Sequence, residues 1–246
     1  HLHTQMSSLD ATTRLEDLFD LIAKWGHKAI AITDHGSVQA FPEAYELSRR
    51  HGIKVIYGLE GYLVDDKEAD PLADKAPVYH IILLAKNQKG LKDLYRLVTL
   101  SHLDYFYRVP RIPRSVLKQH REGLILGSAC EAGELFQALL RNAETDLIEQ
   151  VASFYDFFEI QPRENNAFLM RAGRLTEKAL LELNRQIVEL GQKLGKPVVA
   201  TGDVHFLNPE DEVLRRILMA GQKFSDADFQ APLYFKTTTE MLEEFD

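Results

Sequence analysis

Short apolar runs alternate with amphipathic helical segments six or seven times along this chain. The runs occupy residues 29–33, 54–57, 78–85, 123–127, 157–160 and 198–201. Runs this short and this apolar are typical of parallel strands that helices cover on both faces. We therefore expect an α/β barrel, with a doubly wound open sheet as the alternative. In both architectures, ligands bind at the carboxyl ends of the strands.

The segments between these runs carry apolar residues at helical spacing. They cover residues 14–25, 42–51, 90–102, 133–141, 144–155, 175–194, 209–221 and 238–245. Thr12 or Thr13 is the predicted N-cap of the first helix, and Gly26 is its predicted end. Gly195 and Pro197 predict the end of the longest helix.

Composition limits the class of protein. At 246 residues the chain is long enough for one sizeable core. It has no apolar run near the roughly 20 residues that cross a bilayer, so we expect no membrane association. Cys130 is the single cysteine, which excludes an internal disulfide and favours the cytoplasm. The net charge of −8 argues against a DNA binder driven by charge alone, although a nucleic-acid enzyme with a local basic surface is still possible.

Side chains that bind metal ions follow many of the strand-like runs. His1 and His3 stand at positions i and i+2, which face the same side of a strand, and Asp203 and His205 repeat this spacing. Each of these residues taken alone is more often structural. A lone buried cysteine, for example, usually packs as a small apolar side chain. Their joint placement predicts a metal site. The candidate ligands are His1, His3, Asp10, His35, Glu60, His80, Cys130, Asp203 and His205.

Nine donors are too many for one ion and suit two or three divalent ions, with a carboxylate such as Glu60 as a bridge. Cys130 favours zinc, whereas the carboxylates and imidazoles accept manganese or iron equally well. Asp34 precedes His35 and would point away from the site, so we expect it either to support the ligands or to close the loop. Such metal clusters hydrolyse phosphoesters. The chain has no P-loop, no Gly-rich dinucleotide-binding motif and no nucleophile elbow.

Several segments resemble the signature segments of the polymerase and histidinol phosphatase (PHP) superfamily. These are residues 1–4, 7–10, 33–36 and 202–205. More narrowly, the chain is similar to the PHP domains of PolC-type alpha subunits of bacterial DNA polymerase III. This similarity lies in residues 24–27, 39–44, 55–58, 108–113, 127–130, 199–205 and 234–238, and it extends to residue 245. The order of the segments is highly specific.

The resemblance implies a distorted seven-stranded βα barrel with a trinuclear metal centre. It assigns His1, His3, Glu60 and Asp203 to the first ion, Glu60, His80 and Cys130 to the second, and Asp10, His35 and His205 to the third. The catalytic roles would fall to Glu60, His35 and Asp203. PolC-type chains usually carry an exonuclease domain inserted at about the position of residues 65–77, where this chain has a short polar link. We therefore expect residues 1–246 to form a single PHP domain.

The implied function is metal-dependent phosphoester hydrolysis of the 3′–5′ exonuclease kind. It would act on DNA 3′ ends, with DNA and the other domains of a polymerase alpha subunit as partners. Two alternatives stay open. In the first, the domain has no catalytic activity and the bound ions only stabilise its barrel. In the second, it is a small-molecule phosphatase of the histidinol-phosphate type.

A basic, aromatic segment at residues 105–114 continues into further cations. The positive residues are Arg108, Arg111, Arg114, Lys118 and Arg121. The cluster either steers a nucleic-acid backbone or docks a polymerase domain, or it is a solvated face with intramolecular ion pairs. The sequence favours neither interpretation.

Overall fold

The computed structural model describes residues 1–67, 70–224 and 227–245. Residues 68 and 69 of the predicted 65–77 link lie outside this part of the chain. The described strands are β1 (Ala29–Ile32), β2 (Lys54–Val64), β3 (Val78–Ala85), β4 (Phe106–Tyr107), β5 (Val109–Pro113), β6 (Leu124–Gly127), β7 (Phe158–Ile160) and β8 (Val198–Ala200). The described α-helices are α1 (Leu15–Lys24), α2 (Phe41–His51), α3 (Gln88–Leu103), α4 (Arg114–Gln119), α5 (Glu134–Leu140), α6 (Thr145–Ser153), α7 (Ala167–Arg171), α8 (Glu177–Leu194), α9 (Glu212–Gly221) and α10 (Thr238–Glu243).

The strands form a six-stranded sheet and a separate two-stranded sheet. In the larger sheet, β2 pairs in parallel with β1 along its first half and with β5 along its second half. Strand β3 lies antiparallel between β2 and β6. Strands β7 and β8 form the parallel two-stranded sheet. Isolated bridges from Gly127 to Phe157 and from Leu2 to Val204 connect these parts.

The α/β class is confirmed, but the closed seven-stranded barrel is not. Pairing between named strands does not form a complete ring among the described residues. The expectation of uniformly parallel strands is wrong for β3, which runs antiparallel to both neighbours. The physical reason is the link at residues 65–77, whose described part forms no helix and returns the chain directly beside β2, whereas a parallel strand needs a crossover to the other end of the sheet, usually through a helix.

Some local predictions also need correction. Strand β2 continues to Val64, so Glu60 lies within the strand instead of beyond its end. Most of the basic segment, for which the sequence predicted no strand, forms the paired strands β4 and β5. Neither Thr12 nor Thr13 caps α1, because Arg14 precedes the helix and its side chain makes no capping bond. Helices α4 and α7 were not predicted.

Two apolar cores hold the strand ends in place. The larger core lies among β2, β3, β6, α3, α5 and α8, and Tyr155 and Phe158 are its largest completely buried side chains. The smaller core packs α1 and α2 against β1, with Leu2 and Val204 inside it. The first and last ligand segments of the chain are therefore anchored in the same core. Within the described ranges, no helix has both the length and the apolar character of a bilayer-spanning segment.

Candidate metal centre

The buried carboxylate of Glu60 lies at the centre of the predicted ligands. One of its oxygens, Oε1, is 2.9 Å from His1 Nε2 and 2.8 Å from His80 Nδ1. The other, Oε2, is 3.3 Å from His3 Nε2 and 2.8 Å from His35 Nδ1. Glu60 is 1% exposed, so these contacts are shielded from water. A single carboxylate thus touches four imidazoles from three separate regions of the chain.

The remaining predicted ligands surround this centre. They contribute two more carboxylates, one imidazole and one thiol. Asp203 Oδ1 lies 3.4 Å from both His1 Nε2 and His3 Nε2, Asp10 Oδ2 lies 3.1 Å from His35 Nε2 and 3.3 Å from His205 Nε2, and Cys130 Sγ lies 3.5 Å from His80 Nδ1. The structure therefore brings all nine predicted side chains into one cluster.

The segment that begins the chain is positioned by its own backbone pairing. Leu2 is buried in the smaller core, and its N–H donates to Thr33 Oγ1 at 2.8 Å. The N–H of His3 donates to the carbonyl of Val204 at 2.8 Å. Because alternate side chains of an extended segment face opposite sides, burying Leu2 turns His1 and His3 toward the cluster.

His1 and His205 make hydrogen bonds through Nδ1 on the side that faces away from the cluster. His1 Nδ1 lies 3.1 Å from Glu159 Oε2, and His205 Nδ1 lies 2.8 Å from the carbonyl oxygen of Asp203. Both partners can only accept, so Nδ1 carries the proton in each ring. In the neutral form of each ring, the lone pair is then on Nε2, the atom that faces the other ligands. A hydrogen bond of this kind fixes both the tautomer and the orientation of a metal-binding histidine.

His3 is oriented by a hydrogen-bonded chain through Ser7 to Asp34. The hydroxyl of Ser7 donates to Asp34 Oδ1 at 2.7 Å, so it must accept from His3 Nδ1 at 3.1 Å. Asp34 also accepts from the N–H and the hydroxyl of Thr4, at 2.6 and 2.9 Å. Asp34 thus stands behind the ligands, as expected for a supporting residue, and acts on His3 through Ser7.

Sequence reasoning missed Glu159 and did not assign a role to Ser7. Glu159 is 3% exposed and stands between Phe158 and Ile160 in the apolar strand β7. A lone carboxylate within an apolar strand is a signal that could have identified it, since buried charges are almost always paired. Ser7 lies in one of the segments that carry the family resemblance, but the residue type alone gives no indication of its partner.

Five buried polar atoms in the cluster lie 2.8–3.4 Å from others of the group but make no hydrogen bond of acceptable geometry. They are His1 Nε2, His3 Nε2, His35 Nδ1, Glu60 Oε2 and Asp203 Oδ1. Each buried polar atom left unsatisfied costs about 1–3 kcal/mol, so five in one place require an explanation. All five are nitrogen or oxygen atoms that can donate a lone pair to a cation. The donor set therefore fits divalent metal ions.

Three overlapping groups within the cluster have ligand atoms within 4.8 Å of one another. They are His3, His35 and His205, then His1, Glu60 and Cys130, and finally His1, His3 and Asp203. The first group has His3 where the predicted third ion has Asp10. His3 thus lies between two possible ion positions, with its ring 4.1 Å from that of His35 and 4.4 Å from that of His205.

Burial and charge act in opposite directions on the central groups. Burial alone would lower the pKa of His35, but the carboxylates of Glu60 and Asp10 raise its pKa to about 10. Burial would raise the pKa of Glu60, but the adjacent imidazoles, led by His1, hold its pKa well below the ordinary value. Burial and the neighbouring imidazoles lower the pKa of His3. Without bound ions, Glu60 is therefore ionised and His3 neutral, the forms that bind cations, whereas His35 is protonated and must release its proton when an ion binds.

Glu131 is a further carboxylate beside the cluster that sequence reasoning missed. It follows Cys130 directly, and it lines a cavity that Glu60 and Asp203 also line. Burial, followed by the charge of Asp203, raises the pKa of Glu131. Burial and the charge of Glu131 also raise the pKa of the Cys130 thiol well above its ordinary value. A bound cation would reverse this effect on the thiol.

Three non-glycine residues in or beside the cluster adopt the left-handed region of the backbone. Asp203 has φ 53°, Leu9 before Asp10 has φ 65°, and Ala129 before Cys130 has φ 60°. Aspartate tolerates this conformation, whereas leucine and alanine adopt it at a cost of about 1–2 kcal/mol. Such strain is concentrated at functional sites, where the surrounding fold maintains it.

The basic segment is largely engaged within the molecule. Arg111 Nη1 donates to the carbonyls of Pro71 and Ala73 at 2.7 and 2.8 Å, and Arg108 pairs with Asp74 at 2.9 Å. Two more ion pairs join Arg114 to Glu134 at 2.6 Å and Arg121 to Asp156 at 2.9 Å. These contacts favour the interpretation as intramolecular ion pairs, and those of Arg108 and Arg111 hold the link at residues 65–77.

Comparison with known proteins places this fold and cluster in a family. The PHP domain family matches residues 1–163. The PolC-type DNA polymerase III of Clostridium perfringens is 32% identical and covers 100% of this chain and 30% of its own length. That of Listeria monocytogenes is 41% identical over 92% of this chain and 16% of its own length. A two-domain protein from Bacteroides vulgatus, described as containing a predicted PHP-like metal-dependent phosphoesterase, is 12% identical with a TM-score of 0.48, over 84% of this chain and 51% of that chain.

This chain spans less than a third of the length of these polymerase relatives. The Clostridium alignment covers 441 positions against 246 residues here, so about 195 positions have no counterpart in this chain. The single-domain organisation and the insertion point at residues 65–77 stay predictions. The chain belongs to the PHP domain family, and it is homologous to PolC-type bacterial DNA polymerases III.

Proposed function

We propose that this chain is a metal-dependent phosphoesterase that cleaves DNA from its 3′ end as part of a replicative polymerase. The observation that carries the proposal is the convergence of nine side chains of metal-ligand type, in which five buried nitrogen and oxygen atoms lie 2.8–3.4 Å from one another without a well-formed hydrogen bond. Packing alone does not favour such a group, because removing polar atoms from water without partners is costly.

The proposed centre holds two or three divalent ions, which would be zinc, manganese or iron. His1, His3, Glu60 and Asp203 would hold the first, Glu60, His80 and Cys130 the second, and Asp10, His35 and His205 the third. Such ions activate water and stabilise the charge on the attacking and leaving oxygens of a phosphoester.

The chain's own side chains give this centre its geometry. Glu60 contacts four imidazoles through both oxygens, which suits a bridge between ions. Arg215 donates to Asp10 Oδ1 at 2.7 Å, which leaves Oδ2 directed at His35 and His205. We assign the catalytic roles to Glu60, His35 and Asp203, which would contact the ions next to the scissile phosphate.

The larger context is also part of the proposal. DNA and the other domains of a polymerase alpha subunit would be the partners, and the bacterial cytoplasm would be the location. The two sheets and the bridges between them would represent the distorted seven-stranded barrel of the family. In relatives that carry an inserted exonuclease domain, the insertion would lie at the position of residues 65–77.

Cleavage of single-stranded DNA by the purified chain tests the proposal. Metal-free protein is loaded with zinc or manganese, and release of 3′-terminal nucleotides is measured. We expect His35→Ala and Asp203→Asn to lower the rate at least about 100-fold, since each removes a metal ligand. His51→Ala, at the end of α2 and outside the cluster, is the matched control. A metal-loaded wild type without activity, or variants with full activity, would contradict the proposal.

A second candidate is a structural module whose ions staple the fold. It is favoured by the weak pairing between the ligand segments, since only an isolated bridge joins Leu2 to Val204. In that case chelation lowers the melting temperature, but no phosphodiester is cleaved with any metal. Faster turnover of a small monophosphate ester than of an oligonucleotide would instead identify a small-molecule phosphatase.

A further inference from the structure

Two exposed phenylalanine rings line the same cavity as the ligand cluster. The cavity measures about 340 Å³, and its lining includes Glu60 and Asp203 as well as Phe224 and Phe229. Phe224 is 50% exposed and Phe229 is 62% exposed. Single exposed apolar side chains are common, but two aromatic rings on one polar cavity form a local apolar wall.

Phe229 is held beside a positive charge. The guanidinium of Arg171 lies 5.5 Å from the centre of the Phe229 ring, and its Nη2 atom donates to the Phe229 carbonyl at 3.1 Å. Arg171 also lines the cavity, at the end of α7. The arrangement offers an aromatic surface together with a cation, the two features that bind the bases and phosphates of a nucleic-acid strand.

Hydrogen bonds connect this aromatic wall to the ligand cluster. Arg215 Nη1 donates to Gln230 Oε1 at 2.6 Å, and Arg215 Nε and Nη2 donate to Asp10. The side chain of Gln222 donates to the carbonyl of Leu9 at 2.6 Å. The residue after Phe229 is therefore tied to a proposed metal ligand, which fixes the distance between the wall and the cluster.

We propose that Phe224 and Phe229 form a stacking platform for the base of the 3′-terminal nucleotide of a single strand, while its phosphodiester lies at the ligand cluster. Arg171 and Arg215 add positive charge beside the strand. This inference rests on the proposed function, because the cluster must bind a phosphodiester. Stacking on aromatic rings tolerates every base, which a 3′-end phosphoesterase of no fixed sequence requires.

The size of the cavity supports a single nucleotide as the occupant. A volume of 340 Å³ is at the lower end of the range for pockets that enclose small ligands. A base pair with its two backbones requires far more room. The platform therefore selects unpaired 3′ ends, and a paired end must first be separated.

Binding of a fluorescent oligonucleotide tests this inference independently of cleavage. The strand carries 2-aminopurine, whose fluorescence falls on stacking, at its 3′ end, and its last linkage is a phosphorothioate that slows hydrolysis. We expect quenching by the zinc-loaded wild-type chain. We expect affinity to fall about 5- to 150-fold in Phe229→Leu, the range for losing one stacked base. An oligonucleotide with an abasic 3′ end should bind the wild type less tightly by a similar factor and should not respond to Phe229→Leu.

Tyr45→Leu is the matched control. Tyr45 is also 50% exposed with an arginine over its ring, Arg49 at 5.9 Å, but it lies on α2 and is not part of the cavity lining. Its variant should bind both oligonucleotides as the wild type does, and thermal melting should show that both variants are folded.

The outcomes separate this inference from the proposed function. Equal affinity for normal and abasic ends, an unchanged affinity in Phe229→Leu, or no binding by the wild type would overturn the platform. Cleavage of normal and abasic ends at equal rates would refute the platform while the phosphoesterase stands. Base-dependent quenching without cleavage of any phosphodiester would support the platform and refute the phosphoesterase.

Discussion

Removing one oxygen atom, in Ser7→Ala, should weaken metal binding without touching any proposed ligand. The Ser7 hydroxyl accepts from His3 Nδ1 and from the N–H of His35, both at 3.1 Å, and it donates to Asp34. Without it, the His3 ring has no partner that fixes its proton on Nδ1. The ring can then present a protonated Nε2 to the cluster, and a protonated nitrogen cannot bind a cation.

The size of the effect follows from these contacts. Ser7→Ala leaves two buried donors without an acceptor, each at about 1–3 kcal/mol, so we expect a loss of about 2–6 kcal/mol in the free energy of unfolding. Removing a residue that orients a metal-binding histidine typically costs about 10- to 100-fold in metal affinity. That range corresponds to about 1.4–2.8 kcal/mol of binding free energy.

Zinc titration calorimetry and urea unfolding of the metal-free chain measure the two quantities separately. Ser101→Ala is the matched control, because Ser101 is also 2% exposed but donates only to the Val98 carbonyl on α3. It should lose about 1 kcal/mol of stability and keep its metal affinity. Wild-type zinc affinity in Ser7→Ala, or an equal loss of affinity in Ser101→Ala, would refute the role of the Ser7 hydrogen bonds.

Three further predictions concern stability. Gly36→Ala should destabilise the fold by more than the roughly 1–2 kcal/mol of left-handed strain, because φ is 53° and a Cβ would lie 2.5 Å from Pro110 Cγ. Gly26→Ala, also left-handed but in open space, should cost only the strain, and equal losses in urea unfolding would contradict the steric argument. Chelation should lower the melting temperature and added zinc should restore it, whereas an unchanged temperature would argue against a bound metal. Burial would raise the pKa of Asp93, but hydrogen bonds led by that of His120 lower it below 3.8. Ionised Asp93 therefore stabilises the fold, and this contribution is lost as the carboxylate becomes protonated at low pH. The free energy of unfolding of the wild type should fall more steeply than that of Asp93→Asn as the pH falls from about 5 to about 2. Parallel pH profiles of the two proteins would contradict this prediction.

The apolar runs predicted the strands well because their signal is local. The run at residues 78–85 coincides with β3, and the run at 54–57 lies within β2. Strand direction could not be predicted in the same way. A strand covered on both faces has the same apolar pattern whether its neighbours are parallel or antiparallel, so the orientation of β3 depends on how the link at residues 65–77 returns.

The residues that support the cluster show the same limit. The candidate ligands were found because metals bind few side-chain types, and these types recurred near strand ends. Glu159 was missed because its partner, His1, is 158 positions away in the sequence. Ser7 contacts His3 only four positions away, but serine is common in loops, and the contact depends on Asp34 arriving from β1.

The hydrogen bonds behind the ligands determine how far the geometry of the cluster depends on bound ions. Hydrogen bonds donated by three imidazoles to Glu159, Ser7 and the Asp203 carbonyl orient these rings from behind, and none of these contacts requires a metal. The left-handed residues Ala129 and Asp203 are likewise held by the chain around them. A site organised by the fold can exchange ions and substrate without unfolding. Chelation should therefore lower the melting temperature but leave the far-ultraviolet circular dichroism at 25 °C unchanged, whereas unfolding on chelation would favour the metal-stapled module.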